Sequence, residues 1–201
     1  DQIPEGSVLW DVGANVGLFS VYAAKKVKCT VFAFEPSVFN LELLARNLFL
    51  NDIREQVTII PLALSEHLGG NMMHMTTTEW GGALSSFGKE FGWDGKSIQE
   101  VFTVNTFGLS MDQAESLLNL TAPDFIKLDV DGIEHFILGG GSKTLRGIKS
   151  IILEINDDFV QQARDAEMFL KQAGLELKYK KQSKLSKNTE FKHTFNQIWE
   201  R

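Results

Sequence analysis

The chain has 201 residues, enough for one domain with a sizeable core, and its 43% hydrophobic and 23% charged residues are ordinary for a globular protein. A formal net charge of −6 disfavours general electrostatic binding to nucleic acid. The single cysteine excludes an internal disulfide and is typical of a reducing compartment, so we expect a cytoplasmic location. No apolar run approaches the roughly 18 to 20 residues of a membrane span, and no signal-peptide pattern opens the chain.

Residues 8–20, VLWDVGANVGLFS, have the pattern of a buried strand, a glycine turn and a helix. Gly13 and Gly17 suit a turn of positive φ or a close approach to a ligand, while Asp11 and Asn15 add a carboxylate and an amide. A dinucleotide fingerprint needs Gly-x-Gly-x-x-Gly, but asparagine and leucine stand in its second and third places, which weakens an NAD interpretation. S-adenosylmethionine has a carboxylate and an ammonium but no pyrophosphate, so it suits this loop better. An ordinary strand-to-helix turn is the alternative.

A second strand, residues 30–34, ends in Glu35 and a proline. An acidic residue after the second strand, about 20 residues beyond the glycine loop, is where a βαβ unit contacts ribose hydroxyls. The position of Glu35 therefore favours nucleoside binding independently of the loop. A helix-capping or surface carboxylate is the alternative interpretation.

The remaining pattern alternates between apolar runs and helical periods, which predicts a mostly parallel, doubly wound α/β sheet with right-handed crossovers. In this architecture the connection after the third strand passes the base of a nucleoside, so Ala63 and Ser65 are candidate adenine neighbours. In chain order, the predicted helices are residues 16–26, 37–51, 110–119 and 157–173, with a further helix opening near residue 131, and the later strands are residues 57–62, 124–130, 150–155, 175–180 and 191–199.

Residues 66–105 break this alternation, with many Gly and Ser residues and short β-like pieces at residues 71–77 and 101–106. So long a segment between core elements is typical of a lid or a substrate-binding loop. Residues 80–86, WGGALSS, combine an aromatic ring, flexible glycines and hydroxyls, which suits either a pocket wall or a surface hairpin. We predict one domain over residues 1–201 carrying this insertion, and we expect a further segment upstream, because the chain begins almost directly on a core strand.

Two strands place acidic residues in corresponding positions, IKLDVD at residues 126–131 and IILEIN at residues 151–156. If these strands are neighbours in that register, Asp129 lies near Glu154 at the carboxyl edge of the sheet, where open α/β sheets bind ligands. Crowded carboxylates raise one another's pKa, which suits a general base. They also favour a cationic ligand, such as the sulfonium and ammonium of S-adenosylmethionine.

Two metal interpretations compete with this one. A calcium loop beginning at Asp129 would need glutamate at position 12, where Gly140 stands, so the EF-hand fails. A catalytic divalent metal held by Asp129, Asp131 and Glu154 lacks both a histidine and a fixed spacing, and we predict no metal. A structural role is also open, because Lys127 is a charge inside an apolar strand and needs a carboxylate partner.

Together these motifs resemble the FkbM-type methyltransferases, a branch of the class I S-adenosylmethionine-dependent enzymes, over nearly the whole chain. The family usually has glutamate in the place of Asp131. The residues that carry the resemblance are DVGANVG at residues 11–17 with Ser20, FEP at residues 34–36 with Asn40 and Asn47, ALS at residues 63–65, and IKLDVDGIE at residues 126–134.

The resemblance implies a Rossmann-like, seven-stranded sheet with a reversed C-terminal hairpin, and O-methylation of a hydroxyl on a sugar, polyketide or other small natural product. S-adenosylmethionine would lie across the ends of the first strands. Gly13, Asn15 and Gly17 would then line its methionine end, Glu35 would hold its ribose, and Ser65 would lie near its adenine.

We place Asp129 first as the base, with Glu134 and Glu154 as alternates and His135 fourth. A non-catalytic nucleoside-binding module and a nicotinamide-dependent oxidoreductase on a similar sheet are the competing functions. A nucleic-acid methyltransferase is disfavoured by the acidic balance and by the lack of an Asn-Pro-Pro-aromatic motif. The predicted partner is therefore a small-molecule or glycan hydroxyl acceptor. The sequence leaves the acceptor and the oligomeric state open.

Overall fold

The structure, a computed structural model, describes residues 3–182 and 189–201. Its main sheet has seven strands and is flanked by helices on both faces. The elements in chain order are β1 (Val8–Val12), α1 (Leu18–Tyr22), β2 (Thr30–Phe34), α2 (Val38–Leu50), β3 (Val57–Ile60), β4 (Ala63–Leu64), β5 (Gly69–Met75), β6 (Ser86–Phe87), β7 (Phe102–Leu109), α3 (Met111–Leu117), β8 (Phe125–Leu128), α4 (Glu134–Gly139), α5 (Ser142–Gly147), β9 (Ser150–Asn156), α6 (Val160–Gln172), β10 (Glu176–Lys181) and β11 (Thr194–Glu200).

The order of strands in the seven-stranded sheet is β3-β2-β1-β8-β9-β11-β10. The strands β3, β2, β1, β8 and β9 are parallel, whereas β11 runs antiparallel to both β9 and β10. The predicted fold class, with its reversed C-terminal hairpin, is confirmed. Strand β2 lies on one side of β1 and β8 lies on the other, so the strand order reverses at β1. The carboxyl end of β1 is therefore a topological switch point.

Central strand β1 is buried on both faces, which explains its continuous apolar run. Leu9 packs with residues of α2 and the segment after α1, while Trp10 and Val12 pack with residues of α4, α5 and α6 on the opposite face. Trp10 lies against Phe34 of β2 with ring centroids 5.2 Å apart. Apolar packing on both sides therefore fixes the level at which β1 ends and the glycine loop begins.

The segment predicted as a lid or binding loop contains strands of its own. A second, four-stranded sheet has the order β4-β7-β5-β6, and β5 and β7 pair antiparallel over the full length of β5. Residues 80–85, which we name the strap, lie between β5 and β6. The short β-like pieces in the sequence correspond to β5 and β7.

Two helix boundaries differ from the sequence-based ones. The helix predicted over residues 16–26 is α-helical only over Leu18–Tyr22 and continues as a π-helical turn, Ala23–Val27, ending at Lys28 with φ of 63°. The helix predicted from residue 157 begins at Val160. Asn156 delays it, because its side-chain Oδ1 accepts a hydrogen bond from the Asp158 N–H and holds the chain in a turn.

Within the described ranges, 3–182 and 189–201, no helix combines the length and the apolar character needed to cross a membrane.

Candidate functional site

A cavity lies at the carboxyl ends of β1, β2 and β8 and is roofed by the second sheet and the strap. Its floor is polar where the strands end, and its wall is apolar where β3, β4 and the second sheet meet. The lining residues include Val12, Gly13, Asn15, Phe34, Glu35, Ser37, Asn40, Leu62, Ala63, Leu64, Met73, Gly82, Ala83, Ser85, Phe87, Asp129, Asp131 and Ile133. Three of the predicted cofactor residues, Gly13, Asn15 and Glu35, line this cavity.

The glycines of the loop are required by neighbouring protein atoms. Gly13 has φ of 75°, and a Cβ there would lie 1.9 Å from the backbone oxygen of Asp129. Gly17 has φ of 84°, and its Cβ would lie 2.4 Å from Leu44 Cδ1 of α2. The sequence predicts a turn of positive φ or a close approach to a ligand at these glycines, and the positive φ is confirmed at both. In the structure they permit close approach of β8 and α2 to the loop.

Asp11 lies below the cavity and does not line it. Its carboxylate is fully buried, accepts a hydrogen bond of 2.6 Å from Ser20 Oγ, and has Lys127 Nζ 3.4 Å from Oδ1. Lys127 also donates to the Gly13 carbonyl at 2.7 Å and lies 3.5 Å from Asp129 Oδ2. Burial opposes the charge of Lys127, but the two carboxylates outweigh it and raise its pKa. Lys127 therefore has two carboxylate partners, Asp11 and Asp129, where the sequence predicts at least one.

Glu35 presents a buried carboxylate to the cavity. Its Oε2 accepts from the Asn15 backbone N–H at 2.7 Å, and its Oε1 accepts from the Ser37 backbone N–H at 2.9 Å. Burial raises the pKa of Glu35, while these two N–H groups and the Asn40 amide favour the ionised form. The side chain is thus fixed in place, with remaining lone pairs available to a ligand's hydroxyl groups.

The strap crosses the cavity next to Glu35. Asn40 Nδ2 donates to the Gly82 carbonyl at 3.0 Å, and Asn40 Oδ1 accepts from the Gly81 N–H at 3.0 Å. Asn15 Nδ2 also donates to the Gly82 carbonyl, at 3.1 Å. At the other end of the strap, the Leu84 N–H donates to Asp131 Oδ2 at 2.7 Å. The strap is therefore a wall of the cavity, one of the two predicted alternatives.

Asp129 and Asp131, which follow β8, lie at the opposite end of the cavity, while Glu154 of β9 does not line it but lies close enough to be affected by their charges. Ile126 and Leu128 of β8 pair with Ile151 and Leu153 of β9, which is the register expected from the sequence. Asp129 follows β8 directly and has a side chain that is 46% exposed, so it is open to solvent as well as to the cavity.

The electrostatics of this end differ from those around Glu35. Burial and the Asp129 carboxylate raise the pKa of Asp131 to about 6. Burial, with Asp129 and Asp131 nearby, likewise raises the pKa of Glu154 to about 7. Both groups therefore titrate near neutral pH, which is the range useful for proton transfer.

Glu134 lies beneath this end and does not line the cavity. Its carboxylate accepts from the backbone N–H groups of Val130 and Gly132, each at 3.1 Å, and from Gln162 Nε2 at 2.5 Å. Burial raises the pKa of Glu134 to about 8. Gln162 Oε1 in turn accepts from the Asn156 N–H at 3.0 Å. This buried chain fixes the turn that presents Asp129 and ties it to α6.

Two further candidates lie away from the cavity. Ser65 borders a neighbouring depression, where its hydroxyl donates to the His67 carbonyl at 2.7 Å, although Ala63 and Leu64 beside it do line the cavity. His135 is 3% exposed and packs against the rings of Phe136 and Phe159. Burial lowers the pKa of His135 to about 4.

In the part of the chain that the structure describes, no group of three or more His, Cys, Asp or Glu side chains is arranged to hold a metal ion.

Gln162 is a residue that the sequence analysis missed, because its partner Glu134 is 28 positions away and no local pattern joins them. The contacts of Asn15 and Asn40 with the strap were also missed. Gly81 and Gly82 are the features of the sequence that point to these contacts, because glycines often occur where the backbone approaches another segment closely.

Residues 11–177 match the family model described as "Methyltransferase FkbM domain". The chain belongs to this family. Among curated relatives, hexuronic acid methyltransferase AglP of Haloferax volcanii is 28% identical over 158 residues, covering 78% of this chain and 59% of AglP. Methyltransferase sdnD of Sordaria araneosa is 38% identical over 69 residues, covering 34% of this chain and 27% of sdnD.

The crystal structure of methyltransferase FkbM from Methylobacillus flagellatus KT matches 100% of this FkbM domain and 45% of that chain, with a TM-score of 0.64 and 14% identity. At that identity the likeness shows the fold alone. The domain spans less than two thirds of the length of each of these three relatives. Its family is thus a methyltransferase family, and its fold is the Rossmann-like class I methyltransferase fold.

Proposed function

We propose that this FkbM domain transfers the methyl group of S-adenosylmethionine to a hydroxyl oxygen of a sugar or another small natural product. The observation that carries the proposal is the position of Glu35: a buried, fixed carboxylate at the end of β2 faces the same cavity as the glycine loop and Asp129. Family membership supports the transfer of a methyl group.

The residues present fit S-adenosylmethionine. Glu35 suits ribose hydroxyls, because an ionised carboxylate accepts hydrogen bonds from two of them. The apolar wall formed by Leu62, Ala63 and Leu64 suits an adenine ring. At the other end, Asp129 and Asp131 favour a ligand with positive charge. When bound, S-adenosylmethionine supplies an already activated methyl group.

The protein's own contribution is alignment, exclusion of water and removal of a proton. The strap and the second sheet cover the Glu35 end of the cavity, where the carboxylate is 5% exposed. Orienting two reactants contributes on the order of 7 to 11 kcal/mol in favourable systems. The two carbonyl and two carboxylate contacts of Lys127 hold the end of β8 against the glycine loop. This fixes the spacing between the methionine end of the cavity and Asp129.

We propose Asp129 as the base that accepts the hydroxyl proton. It is the cavity carboxylate with an exposed side chain, and Lys127 Nζ lies 3.5 Å from its Oδ2. Glu154 is the second candidate, because its pKa of about 7 places its titration close to neutral pH. Glu134 is better suited to positioning, since three N–H donors already occupy its carboxylate and the side chain is 1% exposed.

The acceptor class rests partly on the relatives. AglP is named a hexuronic acid methyltransferase, and sugars present many hydroxyl groups to a base such as Asp129. We therefore propose a sugar hydroxyl as the first acceptor to test, with the second sheet shaping its binding.

The cofactor is tested by calorimetric titration with S-adenosylhomocysteine, with NAD as the comparison ligand, on the wild-type protein and on Glu35→Ala. We expect micromolar binding of S-adenosylhomocysteine, no binding of NAD, and at least a tenfold loss of affinity in Glu35→Ala, because a hydrogen bond to a charged group contributes about 1.5 to 3 kcal/mol. Glu42→Ala, on the exposed face of α2, is the matched control. Binding of NAD alone would favour the oxidoreductase.

The reaction is tested by incubating the protein with S-adenosylmethionine and a panel of hexuronates, neutral sugars and simple hydroxylated natural products. Release of S-adenosylhomocysteine together with a product heavier by one methyl group would support O-methylation. Tight cofactor binding without transfer to any member of the panel would favour the nucleoside-binding module and count against a sugar acceptor.

A further inference from the structure

The strap is attached beside Glu35 through the side chains of Asn15 and Asn40. The Asn15 backbone N–H donates to Glu35 at 2.7 Å, while its side-chain Nδ2 donates to Gly82 O at 3.1 Å. The Asn40 amide favours the ionised Glu35 carboxylate and also donates to Gly82 O, at 3.0 Å. Asn15 thus joins the predicted ribose carboxylate to the strap, and Asn40, which lines the cavity together with Glu35, binds the same carbonyl of the strap.

Asn40 makes the more complete of these two connections. Its Oδ1 accepts from the Gly81 N–H at 3.0 Å while its Nδ2 donates to the Gly82 carbonyl, so both ends of one amide are paired with successive peptide groups of the strap. The Asn40 side chain is 4% exposed and lies on α2, a helix anchored in the core by Leu44 and Leu48. The strap is therefore bound to a rigid element.

The strap needs such anchors. Gly81 has φ of 78° and Leu84 has φ of 62°. A leucine in the left-handed region is strained by about 1 to 3 kcal/mol and adopts it only where its surroundings hold it there. Leu84 is held by the hydrogen bond from its N–H to Asp131 Oδ2. The strap is thus attached at Asn40 beside Glu35 and at Asp131 beside Asp129, with Gly82 and Ala83 facing the cavity between these attachments.

We propose that Asn40 is a positioning residue that couples occupancy of Glu35 to closure of the strap over the cavity. A ligand whose hydroxyl groups engage Glu35 also lies against Gly82 and Ala83, because all three residues line the same cavity. It therefore favours the closed strap, which the Asn40 amide holds through Gly81 and Gly82. Closure in turn presses Leu84 against Asp131, at the end of the cavity where Asp129 lies. This inference rests on the proposed function, because it takes the ligand at Glu35 to be the cofactor's ribose.

Hydrogen exchange of two backbone amides reports strap closure directly. The N–H groups of Gly81 and Leu84 donate to side chains, so their exchange rates measure how often the strap leaves Asn40 and Asp131. Exchange is followed by NMR in the wild-type protein, in Asn40→Ala and in Asn40→Asp, with and without saturating S-adenosylhomocysteine. The control is Asn51→Ala, at the end of the same helix, whose amide donates to Asn47 O and makes no strap contact.

In the wild-type protein we expect S-adenosylhomocysteine to slow exchange at both amides by at least tenfold. In Asn40→Ala we expect exchange at Gly81 to be about tenfold faster without ligand, since one hydrogen bond is lost. The ligand should then no longer slow exchange at Leu84, although Leu84 does not touch Asn40. Asn51→Ala should behave as the wild type. Because a merely structural role would change stability without changing this response, melting temperatures are measured alongside.

Asn40→Asp keeps the acceptor for the Gly81 N–H but places a carboxylate beside both Gly82 O and Glu35. We expect it to lose the response at Leu84 while remaining folded, so the test does not depend on the alanine variant. If the wild-type protein binds S-adenosylhomocysteine and neither amide responds, the coupling is wrong while the proposed function stands. If both Asn40 variants keep the response at Leu84, Asn40 is not the positioning residue. If the wild-type protein does not bind the ligand, the proposed function itself fails.

Discussion

The two ends of the cavity surround their carboxylates with different groups. At the glycine-loop end, Glu35 is surrounded by N–H donors from Asn15 and Ser37, and Asp11 is neutralised by Lys127. At the other end, carboxylates face one another, and the pKa values of Asp131 and Glu154 rise to about 6 and about 7. A carboxylate held by donors serves as a fixed acceptor, whereas crowded carboxylates exchange protons near neutral pH. The difference separates a binding end from a chemical end.

The sharpest way to separate the two ends is Asp129→Asn. We expect turnover with an accepted hydroxyl substrate to fall by about 10²- to 10⁴-fold, the usual contribution of a positioned base. Affinity for S-adenosylhomocysteine should change much less, because this ligand lacks the sulfonium charge, Lys127 keeps Asp11 as a partner and the glycine loop stays in place. Turnover is measured by release of S-adenosylhomocysteine and affinity by calorimetry. Unchanged turnover would remove Asp129 as the base and make Glu154→Gln the next variant to examine.

Gly13→Ala tests the close packing of the glycine loop against the backbone of Asp129. A Cβ at this position would lie 1.9 Å from the Asp129 backbone oxygen at a φ of 75°. We expect the free energy of unfolding to fall by about 2 to 4 kcal/mol, combining backbone strain with overpacking. Urea denaturation measures the change.

The control for this variant is Gly147→Ala in α5, where a Cβ would meet no atom within 4 Å. It should leave stability unchanged or raise it slightly, as expected for Gly→Ala at a compatible helical position. Equal effects of the two substitutions would contradict the close approach of Asp129 to the loop.

A smaller effect, on stability, tests the group of carboxylates near Asp129 alone. Because the folded-state pKa of Glu154 is raised to about 7 from 4.5, the folded protein keeps a proton that the unfolded chain has released between those values. The free energy of unfolding therefore falls as pH rises through this window, and the loss is complete above about pH 7. Glu154→Gln removes the loss, so we expect it to be more stable than the wild type by about 1 kcal/mol at pH 8 after solvent screening, with little difference at pH 5.

Thermal unfolding at these two pH values measures this effect, which corresponds to a shift of about 2 to 4 °C for a chain of this size. Glu55→Gln is the control, since Glu55 is exposed in the turn before β3. A stabilisation of Glu154→Gln that is equal at both pH values would show that Glu154 does not titrate in this window.

Much of the architecture follows from local pattern. The apolar run of β1 and the helical period of α2 predicted both elements closely, because each packs a continuous apolar face against the sheet. The register of β8 on β9 was predicted by aligning two similar segments, since a shift of one residue would turn every buried side chain to the wrong face. The grouping of Asp129 with Glu154 followed from that register.

The roles of individual polar side chains were harder to predict from the sequence. Asp11 was expected beside the ligand, yet it lies buried against Lys127, because a lysine inside a central strand requires a carboxylate partner. Glu134 was an alternate base, yet it holds the Asp129 turn through two backbone N–H groups and Gln162. Each role depends on a distant partner: Gln162 is more than 25 positions from Glu134, and Lys127 is more than 100 positions from Asp11.

The family resemblance implied the reversed C-terminal hairpin. By itself, the sequence determined the parallel strands of the sheet, the glycine loop and the two acidic positions at opposite ends of the cavity, Glu35 and Asp129. These follow from hydrophobic periodicity and from where strands end, both of which are local properties of the chain. Only the tertiary structure decided which carboxylates face the cavity, which are neutralised beneath it, and where the strap lies. Those outcomes depend on burial and on distant hydrogen-bond partners, such as the amide of Asn40 and the peptide groups of Gly81 and Gly82, which no local pattern brings together.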